Sequence, residues 1–377
     1  MVVDVVFIRS AFQDARVGRI IRSLSRKYSA VFLAWNREGI DVTLIHNMMQ
    51  KSFPADSRLG FSIFNMRAPY GKYRLRSYIS MILYLPLFWL WVFFKLVKYR
   101  PEVVHAFDAD TVLPCFIYKK IFGKKFVFEI VDRYGITYIP KKYHRLHDAV
   151  NSFEEAFSKR SDVLITLSYD VMKSFKNKPT INSVILNCPE DFSSKRETRK
   201  DGVFILGYGG GINRGRGLEH TTSAVKTLKN VKLYMYGPII DNTLFEDIKT
   251  VANVEYKGFL RIHDDYHMAI VNTDAIIAVY TKETPSHEIT MHNKTLEAMM
   301  GGIPIITNLS PELVTEIGFG ILVEYGNISQ IASAITTLRD NPELRNKLGS
   351  NGRKAYLQKY NWSAMEKKLY HVYEELL

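Results

Sequence analysis

The chain is predicted to form two doubly wound α/β domains in tandem, and three observations support this fold class. Short β-branched apolar runs alternate with amphipathic helical segments in both halves, as in parallel α/β sheets. A charged segment at residues 191–202 is typical of a linker. The length of 377 residues suits about two domains. We therefore expect one domain over residues 1–195 and a second over residues 200–360.

The composition favours an anionic partner. The 51 Lys and Arg residues exceed the 38 Asp and Glu residues, for a net charge of +13. Phosphates, nucleic acid or acidic lipid would suit this charge, although a generally basic surface also accounts for it. Cys115 and Cys188 are the two cysteines, and their apolar surroundings argue against a disulfide framework or a zinc site. No signal-peptide pattern precedes the first strand, which predicts a cytoplasmic protein.

The first βαβ unit opens the first domain. Residues 2–8 predict a buried strand, residues 17–28 an amphipathic helix, and residues 30–34 the next strand. Active-site groups of open parallel sheets collect beyond the carboxyl ends of the strands. The polar side chains expected at this edge are Arg9, Gln13, Asp14 and Arg16.

The segment 79–97 is the most apolar part of the chain. Pro86 interrupts it and Lys95 lies within it, so we predict a helix packed inside the first domain rather than a membrane span. Its basic flanks would suit contact with a membrane surface, and the alternative is a buried helix with solvated ends. These flanking cations are Arg74, Arg76, Lys98 and Arg100.

Further strands are predicted at residues 102–106, 126–131, 163–166 and 184–186, and polar residues follow several of them. Catalytic groups collect at such strand ends, although a His or Asp there is often only a helix cap. Asp132 is the strongest candidate for a catalytic role, and Asp108 to Asp110 is interpreted as a turn rather than a metal motif. Ser168 is predicted to cap a helix. The strand-end candidates are His105, Asp108, Asp110 and Asp132.

A glycine-rich loop opens the second domain. The strand at residues 203–206 leads into GYGGGINRGRGL, and a helix is predicted to follow through Leu228. Glycines let backbone N–H groups approach an anion, and Arg214 and Arg216 add positive charge. The loop matches neither a Walker loop nor a Rossmann fingerprint in register. A plain flexible turn is the alternative.

The segment NKTLEAMMGGIPIITN, residues 293–308, follows predicted strands at residues 232–236, 254–257 and 275–279. Residues 295–300 suit a helix, Gly301 and Gly302 its left-handed end, and residues 304–307 a buried strand. Lys294 and Glu297 are three residues apart and therefore share a helix face. Our hypothesis is that Lys294 meets a phosphate at the helix start and Glu297 meets hydroxyls of a ribose or sugar. A solvated ion pair is the alternative.

In their order along nearly the whole chain, the motifs resemble those of the retaining GT-B glycosyltransferases of family 4, the glycosyl transferases group 1. The resemblance implies two Rossmann-like domains that face a central cleft, with the nucleotide-sugar donor held mainly by the second domain and the acceptor by the first. It also implies that a C-terminal helix, about residues 362–377, packs back on the first domain. The motifs that carry the resemblance are RSAFQDARVGRIIRSL, VVHAFDADTVLP, SDVLITLS, GYGGGINRGRGLE, VEYKGFL, TDAIIAVY and NKTLEAMMGGIPII.

The resemblance also implies roles for individual residues. Arg216 and Lys294 would contact the diphosphate, with Arg214 as an additional candidate, and Glu297 would bind the ribose hydroxyls. The backbone around Gly258 to Leu260 would face the base. The donor site is completed by loop N–H groups at Gly210 and Gly211 and by Tyr236, Glu288 and Asn293.

Two departures from the family pattern concern acidic residues. The first of two paired glutamates would fall at Ile289, whereas Glu288 stands one place earlier. Asp132 stands at a strand end where many members carry a histidine thought to help hold the sugar, and an aspartate could hydrogen-bond a sugar hydroxyl there.

The reaction implied is transfer of a sugar from a nucleoside-diphosphate sugar to an acceptor hydroxyl, with retention, in glycan, polysaccharide or glycolipid biosynthesis. Preorganised cations would stabilise the leaving diphosphate, and no metal or other cofactor is required. The expected partners are the donor, a glycan or lipid-linked acceptor and the inner face of a membrane. A nucleotide-sugar epimerase of the same fold is the first alternative. A nucleic-acid-binding protein is the second, although the basic residues are spread out and no stacking motif is present.

Overall fold

The computed structural model describes residues 3–11, 14–52, 58–68, 75–139, 143–195, 197, 202–260, 263–281 and 292–377. The chain divides into two compact units. The first comprises Met1–Ile185 and Glu366–Leu377, and the second comprises Leu186–Met365. The segment predicted as a linker, residues 191–202, therefore follows the division at Ile185.

The described strands of the first unit form a seven-stranded sheet in the order β3-β2-β1-β4-β5-β6-β7, and every neighbouring pair is parallel. The order reverses between β1 and β4, which makes the sheet doubly wound, and functional groups of such sheets collect at the carboxyl edge near this reversal. The strands are β1 (Val5–Arg9), β2 (Ala30–Trp35), β3 (Leu59–Phe64), β4 (Val103–Phe107), β5 (Lys125–Ile130), β6 (Val163–Thr166) and β7 (Ile181–Val184).

The helices of the first unit connect these strands, and side-chain caps fix several of their starts. Asp14 accepts hydrogen bonds from the N–H groups of Arg16 and Val17 at the start of the first helix. Ser168 accepts one from the N–H of Val171, which confirms its predicted capping role. The helices are α1 (Ala15–Ser25), α2 (Val42–Ser52), α3 (Leu75–Tyr99), α4 (Val112–Phe122), α5 (Tyr134–Tyr138), α6 (His144–Arg160) and α7 (Tyr169–Ser174).

The described strands of the second unit form a six-stranded parallel sheet in the order β10-β9-β8-β11-β12-β13. This order also reverses, between β8 and β11, so the second unit is doubly wound as predicted. Both sheets carry buried apolar strands, which is why they read as continuous apolar runs. The strands are β8 (Phe204–Gly209), β9 (Val231–Tyr236), β10 (Val254–Tyr256), β11 (Ala275–Ala278), β12 (Ile305–Thr307) and β13 (Gly320–Leu322).

The helices of the second unit include the one on which the sequence analysis placed Lys294. That helix begins at Asn293, two residues before the predicted start, and runs through Gly301; Gly302 supplies the left-handed end with φ +60°. The helices are α8 (Leu218–Lys226), α9 (Asn242–Ile248), α10 (His263–Ile270), α11 (Asn293–Gly301), α12 (Pro311–Ile317), α13 (Ile328–Asp340), α14 (Pro342–Gln358) and α15 (Trp362–Leu376), the last of which continues into the first unit.

Helix α3 is the apolar segment that the sequence analysis singled out. It spans 25 residues with Pro86 inside it, and Phe88, Val92 and Leu96 are fully buried. The prediction of a helix packed on the first unit is confirmed for one face, while the opposite face is exposed. Among the described residues, none of the helices has both the length and the apolar character that a membrane crossing requires.

Candidate active site

The carboxyl ends of three neighbouring strands in the second unit are joined through backbone hydrogen bonds between glycine turns. After β8, the N–H of Gly210 donates to the carbonyl of Tyr236 at 2.8 Å, and after β9 the N–H of Gly237 donates to the carbonyl of Gly258 at 3.0 Å. Gly237 has φ +139°, and a Cβ there would lie 2.0 Å from the Gly210 carbonyl oxygen. The close approach of the two turns therefore requires glycine.

Lys294 reaches the first of these turns. A Cβ built at Gly210 would lie 3.8 Å from Cε of Lys294. The ammonium of Lys294 lies 3.6 Å from Oε2 of Glu297, as the three-residue spacing predicts, and their side chains are 14% and 6% exposed. The pair is thus largely withdrawn from solvent. Within the described chain no side chain caps the start of α11, so its N–H groups and Lys294 together favour an anion.

Glu297 is held by a tyrosine that the sequence analysis missed. The hydroxyl of Tyr266 donates to Oε2 of Glu297 at 2.6 Å, and the Lys294 ammonium lies 5.7 Å from the Tyr266 ring centre. Burial, together with the carboxylate of Glu297, raises the pKa of Tyr266 well above its ordinary value, so the phenol remains a donor. Gly209 makes room for it, because a Cβ there would lie 1.9 Å from the Tyr266 oxygen.

Arg216 lies against a second tyrosine. Its guanidinium carbon is 4.4 Å from the ring centre of Tyr280, which directly follows the β11 segment. The hydroxyl of Tyr208 donates to the carbonyl of Gly211 at 2.8 Å. Burial and Tyr280 raise the pKa of Tyr208, while Arg216 acts in the opposite direction. Tyr208 therefore links the surroundings of Arg216 to the glycine turn.

Gly217 fixes the position of Arg216 in the chain. It adopts a left-handed conformation with φ +63° at the start of α8, and a Cβ there would lie 2.3 Å from the carbonyl oxygen of Val279. The loop can therefore pass this closely over the end of the β11 segment only with glycine at this position.

The other predicted donor residues occupy several positions. Tyr236 packs edge-on to Tyr266 with the ring centres 6.2 Å apart, so it belongs to the same cluster. Arg214 is 61% exposed and forms an ion pair with Asp241 at 3.2 Å. Oδ1 of Asn293 accepts a hydrogen bond from Asn187 at 3.0 Å. Leu260 lies in the segment after β10, two residues beyond Gly258, and Glu288 lies outside the described residues.

The structure thus collects part of the predicted set in one place, which we call the donor-side cluster: Gly210, Gly211, Arg216, Tyr236, Lys294 and Glu297, joined by Tyr208, Tyr266 and Tyr280. It combines two cations, the start of α11 and a buried carboxylate. Such a set can bind a diphosphate and orient a hydroxyl-bearing group beside it.

In the first unit, Asp108 organises the carboxyl edge of the sheet. Its carboxylate pairs with Arg9, which also contacts Asp14 at 3.1 Å. Its other oxygen accepts hydrogen bonds from the N–H groups of Val131 and Asp132 at 2.7 and 2.9 Å. Asp108 has a left-handed backbone with φ +64°, which is costly for a residue with a Cβ. Asp108 therefore anchors the turn that carries Asp132, a role that the sequence analysis did not assign.

His105 does not lie at a strand end, and that expectation was wrong. It occupies the middle of β4, is fully buried, and contacts the Tyr373 hydroxyl at 2.8 Å and Glu129 at 3.1 Å. Arg16, expected at the open edge, is also buried and donates to Glu129 at 2.7 Å. Burial opposes ionisation of Glu129, yet Arg16 and His105 hold its pKa below the ordinary value. This network ties α1 and α15 to the sheet.

Buried acidic groups surround the turn after β5. The carboxylate of Glu154 accepts a hydrogen bond from the N–H of Tyr134 at 2.7 Å, and burial raises its pKa to about 7 despite Arg133. Burial also raises the pKa of Asp110, while Arg9 acts in the opposite direction. Among the described residues, no group of three or more His, Cys, Asp or Glu side chains is placed to hold a metal ion.

Comparison with known proteins supports the family resemblance. The family model described as glycosyl transferases group 1 matches residues 204–341, which contain the donor-side cluster. The curated relative "Capsular polysaccharide biosynthesis glycosyltransferase CapM" of Staphylococcus aureus is 24% identical over 186 residues, 46% of this chain. The match spans about half of that relative, 47% of its length.

Solved structures share the fold along nearly the whole chain. Sucrose-phosphate synthase from Thermosynechococcus elongatus superposes with a TM-score of 0.73 at 16% identity, covering 99% of each chain. Anabaena HepE in complex with UDP and glucose superposes with a TM-score of 0.72 at 13% identity, covering 99% of this chain and 100% of that one. The two parallel-sheet units are therefore those of the GT-B architecture found in glycosyltransferases.

Proposed function

We propose that this chain is a glycosyltransferase that moves a sugar from a nucleoside-diphosphate sugar to an acceptor hydroxyl, with retention, in glycan, polysaccharide or glycolipid biosynthesis. The observation that carries the proposal is the donor-side cluster, where Lys294 meets the glycine turn at Gly210 and Glu297 lies beside it. The family model covers the same residues.

Two cations and the start of α11 supply the chemistry of the proposed reaction. The diphosphate leaving group gains negative charge as its bond to the sugar breaks. Lys294 and Arg216 would balance that charge from fixed positions, because Lys294 is held by Glu297 and Arg216 lies on the Tyr280 ring. Fixed charges do not need to reorganise as the transition state forms, which is why they lower the barrier.

Glu297 is the proposed ligand of the ribose. Its carboxylate is already oriented by the Tyr266 hydroxyl and the Lys294 ammonium, and an ionised carboxylate still has acceptor sites for sugar hydroxyls. Lys294 would therefore serve two groups, the diphosphate and this carboxylate. Replacing one member of such a network disturbs the others.

Similar structures suggest the first donors to test. HepE was solved in complex with UDP-glucose, and Staphylococcus aureus TarM in complex with UDP and a GlcNAc-glycerol product. We therefore propose a uridine-diphosphate sugar as the donor. Asp132 is the proposed acceptor-side residue, since Asp108 fixes its turn, and its carboxylate could accept a hydrogen bond from a sugar hydroxyl.

A thermal-shift panel of nucleotide sugars tests this function. Binding to the folded chain at about one hundred times Kd stabilises it by about 2.7 kcal/mol, so one class of nucleotide sugar should raise Tm by several degrees. Incubation of that donor without an acceptor should leave the sugar configuration unchanged apart from slow hydrolysis. Conversion to an epimeric nucleotide sugar would instead identify an epimerase, and no shift with any donor would contradict the proposal.

A further inference from the structure

Helix α3 exposes an apolar stripe on the side away from the core. Its inner face is formed by Leu85, Phe88, Val92 and Leu96. On the opposite face Leu83, Leu87, Leu90 and Phe94 are between 46% and 69% exposed, at spacings of four, three and four residues that align them on one side of the helix. Isolated exposed apolar residues are normal, whereas a continuous stripe marks an interaction surface.

The neighbouring helix widens this stripe. Helix α4 packs against α3, and its Ile117, Ile121 and Phe122 are also exposed. We call these three residues and the four on α3 the α3–α4 apolar surface. It covers two adjacent helices rather than a single line of side chains.

The charges beside this surface are all positive. The sequences of α3 and α4 contain no Asp or Glu, while Lys98 and Lys120 are exposed and Lys95 is half-buried. Burial, and then the neighbouring Lys98, lower the pKa of Lys95, as expected where ammonium groups crowd one helix end. A negatively charged apolar partner would complement both features.

We propose that the α3–α4 apolar surface docks this protein on an anionic lipid bilayer. Leu83, Leu87, Leu90 and Phe94 would enter the boundary between headgroups and acyl chains, and Lys98 and Lys120 would contact lipid phosphates. A second copy of the chain fits less well. A two-fold pairing of this face would bring lysines together with no acidic residue on either helix to balance them.

Docking would also set the position of the acceptor-side residues. The indole N–H of Trp89 on α3 donates to the backbone carbonyl of Asp110 at 2.7 Å, which joins the helix to the carboxyl edge of the sheet. If the proposed transferase function holds, the edge near Asp132 would therefore be kept at a fixed distance from the lipid surface. This consequence rests on the proposed function, whereas the docking itself does not.

Co-sedimentation of the full-length protein with vesicles tests the proposal. Vesicles of phosphatidylcholine with about 30 mol % phosphatidylglycerol should retain the parent protein, pure phosphatidylcholine vesicles should retain much less, and high salt should weaken the binding. The double variant Leu90→Glu, Phe94→Glu should lose at least about tenfold in partition coefficient. The variant Lys98→Glu, Lys120→Glu should lose the preference for phosphatidylglycerol.

The matched control is Leu357→Glu, which alters a leucine of similar exposure on α14 of the second unit and should bind as the parent does. Tm and circular dichroism check that each variant is folded. The proposal is overturned if the parent binds neither kind of vesicle, or if the Leu90 and Phe94 double variant binds like the control. It is also overturned if light scattering shows a parent dimer that this variant separates, without any vesicle binding.

Discussion

At the scale of single residues, the contact between Tyr266 and Glu297 defines the donor-side cluster. The phenol and the carboxylate are 2.6 Å apart, and Tyr266 is fully buried electrostatically by its surroundings, with no tendency to ionise. A short hydrogen bond to a charged group fixes the direction of that group strongly. Tyr266 is therefore assigned the role of orienting Glu297.

The first prediction removes this hydrogen bond. Tyr266→Phe should reduce the free energy of unfolding by about 1.5 to 3 kcal/mol, because a bond to a charged group is lost and the Glu297 oxygen is left less satisfied. Donor KM should rise by about tenfold. Tyr234→Phe, on the neighbouring strand β9, is the control. Equal donor KM values for the two variants would contradict the role given to Tyr266.

The second prediction concerns the buried carboxyl group of Glu154, whose pKa is raised to about 7 from an ordinary 4.5. The folded state then holds the proton more tightly than the unfolded state, so this group stabilises the fold at low pH, and that contribution is lost as pH rises towards 7. Glu154→Gln should therefore flatten the pH dependence of Tm between about pH 4.5 and about pH 7. An unchanged slope across this range would show that Glu154 ionises normally.

At the scale of elements, close backbone approach around glycines shapes the donor-side loop. Gly237 faces the carbonyl of Gly210, and Gly217 faces that of Val279, at distances that leave no space for a Cβ. These contacts place the loop carrying Arg216 over the ends of β8 and β11. The loop is therefore a built turn rather than the flexible connection considered as the alternative.

The third prediction compares two glycines with nearly the same backbone conformation. Gly217 has φ +63° and would clash with the Val279 carbonyl, whereas Gly123 has φ +67° and nothing within 4 Å of an added Cβ. Gly123→Ala should cost about 1 kcal/mol of stability, the left-handed penalty alone. Gly217→Ala should cost at least about 2 kcal/mol more, because backbone must shift as well. Equal denaturation midpoints would contradict the close approach.

Several elements could be predicted from local patterns, and others could not. The strand at residues 163–166 and the left-handed Gly302 follow from apolar runs and turn chemistry, which are local properties. The sequence analysis missed α2 (Val42–Ser52) and β3 (Leu59–Phe64), and it placed the last strand of the first sheet at residues 184–186 rather than Ile181–Val184. Strand β7 contains Asn182 and Ser183, so its pairing with β6 decides its extent rather than its apolarity.

The candidate site divides in the same way. The spacing of Lys294 and Glu297 on one helix predicts their contact, because three residues make nearly one turn. Tyr266 lies 31 residues away on α10, and only the packing of α10 against α11 brings it to Glu297. His105 was misplaced because the run that predicts β4 continues to Phe107, which puts the histidine inside the strand.

At the scale of the whole molecule, two doubly wound units carry two different kinds of site. The second unit has the cationic donor-side cluster, and the first has buried acidic groups around Asp108 and Asp132. Transfer of a sugar from an anionic leaving group to a neutral hydroxyl requires these two environments. The predicted central cleft between the domains stays a prediction.

The central claim is that Lys294 and Arg216 neutralise the diphosphate as the donor bond breaks. The most direct test is the single-turnover rate of sugar release from the donor that the thermal-shift panel identifies, measured for Lys294→Ala, Arg216→Ala and the control Lys249→Ala, an exposed lysine paired with Glu246. Each of the first two variants should be slowed by about a hundredfold while remaining folded, and the control should stay within about twofold of the parent. Rates within about twofold of the parent for both Lys294→Ala and Arg216→Ala would contradict the account.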